Sequence, residues 1–480
     1  MNPAQHRPDQ IAVFCVLRCG AGFTPRYLRA MKDETIQAKS LRIPSGRLSR
    51  SARMGSVSAR IAGAVVAGGA RELLSGRRPV ARDLLLTPAN ARRLTEELSR
   101  MRGAAMKMGQ LLSMEAGDFL PPELSDILAR LRAEAHVMPP AQLKRVLQDS
   151  YGKDALRRFR RFDPRPVAAA SIGQVHRAET REGHVIALKI QYPGVRDAID
   201  ADVANLGTLL RLSGLLPQGF DLSPFLDEAR RQLHDEADYR REAEALLRFG
   251  QLVKDQPDVV VPTFFPEVST DTVLAMSFVD SSPIEALETA PQAARDSAAT
   301  RLFDIFLREV LEWRVVQTDP NFANFRYQPT SGRLVLLDFG ATRPVPEAFV
   351  LGCQRLLQAG VAGDLRAVMD GLCALSILPQ DLSPGQSEVI AQMAHLILPM
   401  LSQDITDFDD PERLAALREA GARLGLDEGF RHIPPWDALY LQRKLGGLVL
   451  LATRLRARVP LALLVQEALA RIQRVPLKNV

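Results

Sequence analysis

An aliphatic strand that ends in a carboxylate constrains the fold of this 480-residue chain more than any other feature. Residues 334–337 are all Leu or Val, and Asp338, Phe339 and Gly340 follow directly. Glycine permits a sharp turn after the strand, so the Asp338 carboxylate is expected at the strand's end. Hard cations prefer oxygen ligands, and a carboxylate placed in this way suits a magnesium ion that bridges phosphates.

A second polar motif precedes this strand. Asp319 and Asn324 lie five positions apart, and Asn324 lies fourteen residues before Asp338. This order and spacing are those of a kinase catalytic loop, in which the aspartate orients or deprotonates a hydroxyl and the asparagine holds a metal. The alternative is a polar turn, because Asp-Pro is a common turn dipeptide. The distance to Asp338 favours the catalytic loop.

A lysine at the end of an apolar run is the third motif. Residues 185–191 form a predicted strand, and Lys189 is its one charged residue. An unpaired ammonium there would be costly, so Lys189 needs an acidic partner as well as phosphates. The predicted partner is Glu236, on a helix predicted over 224–249. Glu228, two turns earlier on the same face, is the alternative.

The segment before the lysine strand departs from an ordinary protein kinase, where a glycine-rich loop is expected. Residues 168–178 are predicted as a strand joined to the lysine strand by a turn at 182–183. Its first four residues are small but are not glycine: Ala168, Ala169, Ala170 and Ser171. Alanine restricts both positive φ and close approach of the backbone to phosphates, so altered nucleotide contacts are predicted.

Charge and cysteine content limit the remaining possibilities. The net charge is +6, and residues 36–71 contain seven Lys or Arg residues and no Asp or Glu. Such a segment favours lipid headgroups or nucleic-acid phosphates, or it is a solvated arm. The apolar run 61–70 is too short to cross a bilayer alone, but it is predicted either to lie in or dock on one or to pack as a helix against a neighbour. The cysteines show no metal-binding or disulfide pattern, which fits a reducing compartment: Cys15, Cys19, Cys353 and Cys373.

Several ordered motifs together resemble those of a known group, the UbiB-type atypical kinase-like family, which supports ubiquinone (coenzyme Q) biosynthesis. The resemblance covers roughly residues 40–460. It rests on a KxGQ motif at 107–110, an Ala-rich loop at 168–171, the lysine strand continued over 189–195 and an ExD motif at 236–238. Segments 317–325 and 336–343 are similar to the coenzyme Q branch in particular. Residues 434–435 and 443–447, near the C-terminus, also match the family.

The resemblance implies an α+β fold, protein-kinase-like and bilobal, with an N-terminal helical KxGQ extension and a mainly helical C-lobe. The expected divisions are a basic N-terminal arm with a short membrane-associating segment at 1–82, the KxGQ extension at 83–155, the kinase-like N-lobe at 156–282 and the C-lobe at 283–480.

The resemblance also implies ATP and Mg²⁺ as cofactors and assigns roles to residues. Catalytic roles are expected for Asp319, Lys189, Glu236 and Lys107, and metal binding for Asn324 and Asp338. Lys107 and Gln110 would reach the nucleotide and obstruct a peptide substrate. Nucleotide contacts are expected from Ala168, Ala169, Ala170, Ser171, Ala187, Lys189, Met276, Phe278 and Gln110.

The activity implied is that of an atypical kinase-like ATPase or phosphotransferase. Its expected partners are ATP or ADP, anionic membrane lipids, and ubiquinone-biosynthesis enzymes or polyprenyl quinone precursors, with no nucleic acid. A peripheral position on the cytoplasmic face of a bacterial inner membrane, or a cytoplasmic one, is expected ahead of the mitochondrial inner membrane. Two alternatives stay open, namely a nucleotide-gated non-catalytic scaffold and a protein Ser/Thr kinase.

Overall fold

The computed structural model describes residues 103–104, 107–108, 111, 137–212 and 221–474. The predicted basic arm, the apolar run 61–70, Gln110, Cys15 and Cys19 lie outside these residues. The described chain divides into two compact units. The N-terminal unit holds the described residues up to 244 together with 263–278, and the C-terminal unit holds 245–262 and 279–474.

The described chain forms strands and α-helices with the following bounds. The strands are β1 (Phe159–Ala169), β2 (Gly173–Thr180), β3 (Val185–Gln191), β4 (Val259–Val260), β5 (Val273–Ser277), β6 (Ser282–Pro283), β7 (Val315–Gln317), β8 (Phe325–Gln328), β9 (Arg333–Leu336), β10 (Thr342–Pro344), β11 (Thr406–Asp407) and β12 (Arg458–Val459). The helices are α1 (Pro140–Tyr151), α2 (Val195–Leu212), α3 (Ser223–Ala237), α4 (Tyr239–Leu252), α5 (Gln292–Leu311), α6 (Glu347–Val361), α7 (Leu365–Ala374), α8 (Pro384–Ile397), α9 (Pro411–Ala422), α10 (Trp436–Leu455) and α11 (Leu461–Arg474).

An antiparallel sheet of order β1-β2-β3-β5 forms the base of the N-terminal unit. Successive side chains of a strand point to opposite faces, so the apolar set of β3 separates from its lysine. Ile186, Leu188 and Ile190 are fully buried in a core shared with helix α1 and the strands β2 and β5. Lys189 therefore lies on the other face of the sheet, where polar side chains can reach it.

The helix predicted over 224–249 is two helices, and the prediction of one was wrong. Asp238 separates α3 from α4 with an extended backbone (φ −94°, ψ 90°). Its Oδ1 accepts hydrogen bonds from the backbone N of Arg240 (3.1 Å) and of Arg241 (3.3 Å), so it caps the start of α4. Glu236 therefore lies at the end of one helix and Glu242 at the start of the next.

The strand predicted over 168–178 is also interrupted. β1 ends at Ala169 and β2 begins at Gly173, and the backbone N of Ala170 donates to the carbonyl of Gly173 at 2.8 Å. That hydrogen bond closes a tight turn within the Ala-rich segment. The lysine strand 185–191 has the predicted bounds.

The C-terminal unit is mainly helical and carries a small sheet of order β4-β9-β8-β6. Strands β8 and β9 pair antiparallel, with Phe325 opposite Leu336. Strand β7 pairs antiparallel with β10, which brings Gln317 opposite Thr342. Among the described residues, no helix is both long enough and apolar enough to span a bilayer.

A buried histidine in the N-terminal sheet makes stability depend on pH. His176 bonds through its ring to the Gln174 side chain (2.7 Å) and the Asp163 carbonyl (2.9 Å), and burial lowers its pKa from the ordinary 6.5. The unfolded chain therefore binds the proton more readily than the folded chain. We expect the free energy of unfolding to fall as pH drops below 6.5. In His176→Gln this fall should be shallower, which urea denaturation at about pH 7.5 and about pH 5.5 would measure. Equal pH dependence of the free energy of unfolding in the unchanged protein and in His176→Gln would contradict this role of His176.

Candidate active site

The lysine of β3 is paired, but with a different carboxylate from the predicted one. Lys189 Nζ donates to Glu242 Oε1 at 2.7 Å and to Oε2 at 2.9 Å, and the Glu242 side chain is 1 % exposed. The ring of Tyr239 lies 5.6 Å from the same ammonium. The predicted pairing with Glu236 is wrong because the helix is interrupted at Asp238. A new helix begins after Asp238, and its first turn brings Glu242 to the lysine.

Glu236 instead joins two other motifs. It forms an ion pair with Lys107, and its Oε2 accepts a hydrogen bond from Ser171 Oγ at 2.8 Å. Lys107 is itself 5 % exposed. One carboxylate therefore connects the lysine of the KxGQ motif with the Ala-rich turn. The other alternative, Glu228, bonds to Arg231 and Gln232 of its own helix α3.

The Ala-rich turn is followed by a glycine with no room for a side chain. Ala168 and Ala169 end β1, and Ala170 and Ser171 lie in the turn. A Cβ added to Gly173 would lie 2.4 Å from the carbonyl oxygen of Ile190 and 3.1 Å from Tyr239 Oη. The turn can therefore pack against β3, the lysine strand, only because residue 173 is glycine.

Three further residues predicted to contact nucleotide lie on neighbouring strands or just beyond them. Ala187 of β3 is directly opposite Met276 of β5. Phe278 follows β5, and its backbone N donates to the Val185 carbonyl at 3.0 Å. The guanidinium of Arg177 lies 5.1 Å from the Phe278 ring. The sheet thus holds Ala187, Met276 and Phe278 in one part of the N-terminal unit, and their contact with nucleotide stays a prediction.

The C-terminal unit brings Asp319 and Asn324, the residues of the predicted catalytic loop, together. Asn324 Nδ2 donates to Asp319 Oδ2 at 3.1 Å, and Arg443 Nη2 donates to Asp319 Oδ1 at 3.0 Å. Each oxygen of the Asp319 carboxylate therefore accepts a hydrogen bond from a different side chain. Arg443 comes from helix α10, more than a hundred residues along the chain.

Asp338 has an unusual backbone at the end of the aliphatic strand. Its φ is 58°, a value that residues other than glycine rarely adopt. Its Oδ1 accepts a hydrogen bond from the backbone N of Gly340 (3.1 Å), and its carbonyl accepts one from Gln317 Nε2 (3.2 Å). The ring of Phe339 packs on that of Phe249 with centroids 4.8 Å apart. Backbone strain of this kind is characteristic of functional sites.

Asn324 and Asp338, the predicted metal ligands, carry oxygen atoms of the kind that a magnesium ion prefers. The backbone N of Leu337 donates to the Asn324 carbonyl at 2.8 Å, so the two side chains start from neighbouring backbone positions. Because the Asn324 amide nitrogen faces Asp319, its amide oxygen is the atom available to a cation. In the described part of the chain, no group of three or more His, Cys, Asp or Glu side chains could hold a metal. Mg²⁺ suits such a site because it is usually held by one or two carboxylates, with phosphates and water completing its shell.

Sequence reasoning missed three residues of these clusters. Glu242 follows a helix break that the apolar periodicity does not reveal. Gln317 lies in a segment assigned to the family, but no role was attached to its side chain. Arg443 also belongs to a recognised motif, but only the folded chain brings it to Asp319. A basic residue on a helix gives no sequence signal of a partner this distant.

Comparison with known proteins identifies the family of this chain. Residues 130–372 match the ABC1 atypical kinase-like domain. The chain is 36 % identical over 441 residues to the atypical kinase COQ8, mitochondrial, of Saccharomyces cerevisiae, which covers 92 % of this chain and 87 % of that protein. It is 35 % identical over 430 residues to the atypical kinase coq-8, mitochondrial, of Caenorhabditis elegans, covering 87 % of this chain and 56 % of that protein.

A solved structure supports the fold. Rv3197 of Mycobacterium tuberculosis, solved in complex with erythromycin, superposes with a TM-score of 0.58 at 24 % identity, covering 79 % of this chain and 95 % of that one. The predicted kinase-like α+β class and the resemblance to UbiB-type atypical kinases are confirmed. The chain therefore belongs to the ABC1 atypical kinase-like family.

Proposed function

We propose that this protein binds Mg-ATP and either hydrolyses it or transfers its terminal phosphoryl group, and that this activity supports coenzyme Q biosynthesis. The observation that carries the proposal is the pairing of the polar groups. In the N-terminal unit a buried ion pair holds Lys189. In the C-terminal unit hydrogen bonds fix Asp319 and Asn324, and Asp338 follows Leu337, whose backbone N donates to the Asn324 carbonyl. A chain that had lost this chemistry would have no reason to retain all four groups in such contacts.

Each group has a role that its contacts support. Lys189, oriented by Glu242, would pair with the α- and β-phosphates. The Asp338 carboxylate and the Asn324 amide oxygen would hold magnesium, which when bound neutralises phosphate charge. Asp319 would orient the attacking water or hydroxyl. The Ala-rich loop 168–171, together with Ala187, Met276 and Phe278, would contact the nucleotide.

The contacts of Lys107 favour a role inside the site. A surface lysine on an amphipathic helix would be solvated, but Lys107 is buried and its ion pair with Glu236 lies beside Ser171. We infer that Lys107, with Gln110, limits access of a peptide substrate. Ordinary protein phosphorylation is accordingly a weaker proposal than ATP hydrolysis or transfer to a small acceptor.

The partners follow from the family and from the charge of the chain. We propose anionic lipids as one partner because 36–71 is strongly basic. Quinone-biosynthesis enzymes or polyprenyl quinone precursors are the others. The relatives described above carry the word mitochondrial in their names. For this chain we propose a peripheral position on a bacterial inner membrane, or a cytoplasmic one.

A complementation experiment tests the pathway. The unchanged protein, expressed in a bacterium that lacks its own family member, is expected to restore coenzyme Q content. Asp338→Asn should leave the content at the background level, because the exchange removes a carboxylate that would hold magnesium. Asp255→Asn, the same exchange at an exposed position, is the matched control and should restore it. Full restoration by Asp338→Asn at equal protein level would refute a role for magnesium chemistry.

The Ala-rich turn gives a second prediction. Ala169→Gly should change the affinity for ATP or ADP by about fivefold, which corresponds to about 1 kcal/mol. Ala169 is the last residue of β1, directly before the turn, and glycine there would let the backbone adopt positive φ and approach phosphates more closely. Equilibrium binding of both nucleotides measures the change, and Ala290→Gly, in extended backbone after a short 3₁₀ turn, is the control. Unaltered binding of both nucleotides would rule out a special role for the turn.

A further inference from the structure

One helix of the C-terminal unit contacts the catalytic-loop region at three places. Arg443, Lys444 and Gly447 all lie on α10 (Trp436–Leu455), within little more than one helical turn. Their partners lie in the segment 317–320 and on α5. All three belong to the motif 443–447, which the sequence shares with its family but to which no chemistry was assigned.

Arg443 provides positive charge beside Asp319 that the loop itself lacks. Residues 318–324 contain no Lys or Arg. The Arg443 guanidinium donates to Asp319 Oδ1 at 3.0 Å, and the two side chains are 10 % and 19 % exposed. Asn324 occupies the other oxygen, at 3.1 Å. A planar guanidinium fixes a carboxylate in direction as well as in distance, so rotation of Asp319 is restricted from both sides.

Lys444 anchors the strand that leads into the loop. Its Nζ donates to the Gln317 carbonyl (2.8 Å) and to Gln317 Oε1 (3.1 Å), and lies 3.3 Å from Glu309 Oε2 on α5. Lys444 and Glu309 are both almost fully buried. Gln317 in turn donates to the Asp338 carbonyl. The side chain of Gln317 therefore links Lys444, and with it α10 and α5, to the backbone of Asp338, the proposed magnesium ligand.

Gly447 lets the helix approach the loop closely. A Cβ added there would lie 2.3 Å from Pro320 Cβ, so only glycine allows α10 to pack on the residue that follows Asp319. Arg443 and Gly447 are four residues apart and lie on the same face of the helix. The arginine and the glycine therefore act on adjacent loop residues, one by hydrogen bonding and the other by leaving space.

We propose that Arg443 is a positioning residue that fixes the Asp319 carboxylate for the attacking group, and that Lys444 and Gly447 hold the loop in place for it. This inference rests on the proposed phosphoryl-transfer or hydrolysis activity. Helix α10 would then orient the Asp319 carboxylate for the reaction, in addition to stabilising the C-terminal unit. A purely structural role would affect folding but not the dependence of turnover on Asp319.

A double-mutant cycle on ATP turnover tests the inference. Arg443→Met keeps an unbranched apolar stem and removes the guanidinium with its charge, and kcat is expected to fall about 100-fold while KM for ATP stays within about threefold. Arg443→Lys, which retains charge without the planar fork, should recover part of kcat. Asp319→Asn combined with Arg443→Met should be no slower than the slower single variant, because both changes remove one function.

Arg471→Met is the control. Arg471 pairs with Asp304 (3.0 Å), Glu312 and Glu467 in the same unit, and none of these three belongs to the contacts between α10 and the loop, so kcat should stay within about twofold. ATP affinity and the melting temperature of every variant show whether it is folded, and Arg443→Lys serves if Arg443→Met does not fold. Unchanged kcat in Arg443→Met, or effects of Asp319→Asn and Arg443→Met that multiply, would overturn the positioning role and leave the proposed function standing. Absence of turnover in the unchanged protein would overturn both.

Discussion

Glu242→Gln is expected to lower the free energy of unfolding of the N-terminal unit by about 3 kcal/mol, because it leaves the buried Lys189 ammonium without its counter-charge. Glu236→Gln should cost about 1 kcal/mol, because Glu236 is 15 % exposed and part of its lost pairing is replaced by water. A larger loss of stability in Glu242→Gln than in Glu236→Gln is expected if Lys189 pairs with Glu242, as observed, and not with Glu236, as predicted from the sequence. A larger loss in Glu236→Gln would contradict the observed pairing.

The measurement needs a signal from the correct unit. Both tryptophans of the chain, Trp313 and Trp436, lie in the C-terminal unit, so their fluorescence does not report on β3 directly. Urea denaturation followed by circular dichroism together with fluorescence separates the two units. Lys189→Met combined with Glu242→Leu provides a further check, since replacing both charges should destabilise less than removing Glu242 alone. A double variant that is less stable than Glu242→Gln would contradict a dominant desolvation cost.

Gly173→Ala is expected to lower the free energy of unfolding by about 3 kcal/mol, at the upper end of the cost of overpacking. The added methyl group would meet the Ile190 carbonyl at 2.4 Å, and that atom belongs to the backbone of β3, which cannot move without disturbing Lys189 next to it. Weaker nucleotide binding should accompany the loss of stability, because the Ala-rich turn would be displaced.

Gly250→Ala is the matched control for this exchange. Gly250 lies within helix α4, and a Cβ added there meets nothing within 4 Å. The same substitution should therefore be neutral or stabilise by about 0.5–1 kcal/mol, since alanine has less backbone freedom to lose on folding. If space at residue 173 is decisive, thermal or urea denaturation shows a large loss of stability in Gly173→Ala and no loss in Gly250→Ala. A small effect at both positions would show that the turn adapts.

Much of the fold could be predicted from the sequence because its signals are local. An apolar run with one lysine predicts β3, and an aliphatic strand followed by Asp-Phe-Gly predicts β9 and the position of Asp338. The spacing of Asp319 and Asn324 predicts a shared loop, and the structure places the two side chains in hydrogen-bond contact. Each of these patterns spans only a few residues, so no long-range packing is needed to recognise it.

The partners of the charged groups could not be predicted in the same way. Asp238 interrupts a helical pattern without a glycine or proline, so Glu242 was not recognised as the partner of Lys189. Arg443 and Lys444 contact residues more than a hundred positions away. Only the packing of α10 against the loop, which depends on Gly447, establishes those contacts. The sequence thus predicted which residues belong to the candidate site, and tertiary structure determined which of them are paired.

Magnesium-dependent ATP turnover by the purified full-length protein, measured with and without anionic liposomes, tests the central claim most directly. We expect turnover that requires Mg²⁺, falls about 100-fold in Asp338→Asn and is unchanged in the exposed control Asp255→Asn. Stimulation by liposomes would support the proposed membrane position. Nucleotide binding without turnover in every lipid condition would contradict the enzymatic account and favour a non-catalytic scaffold.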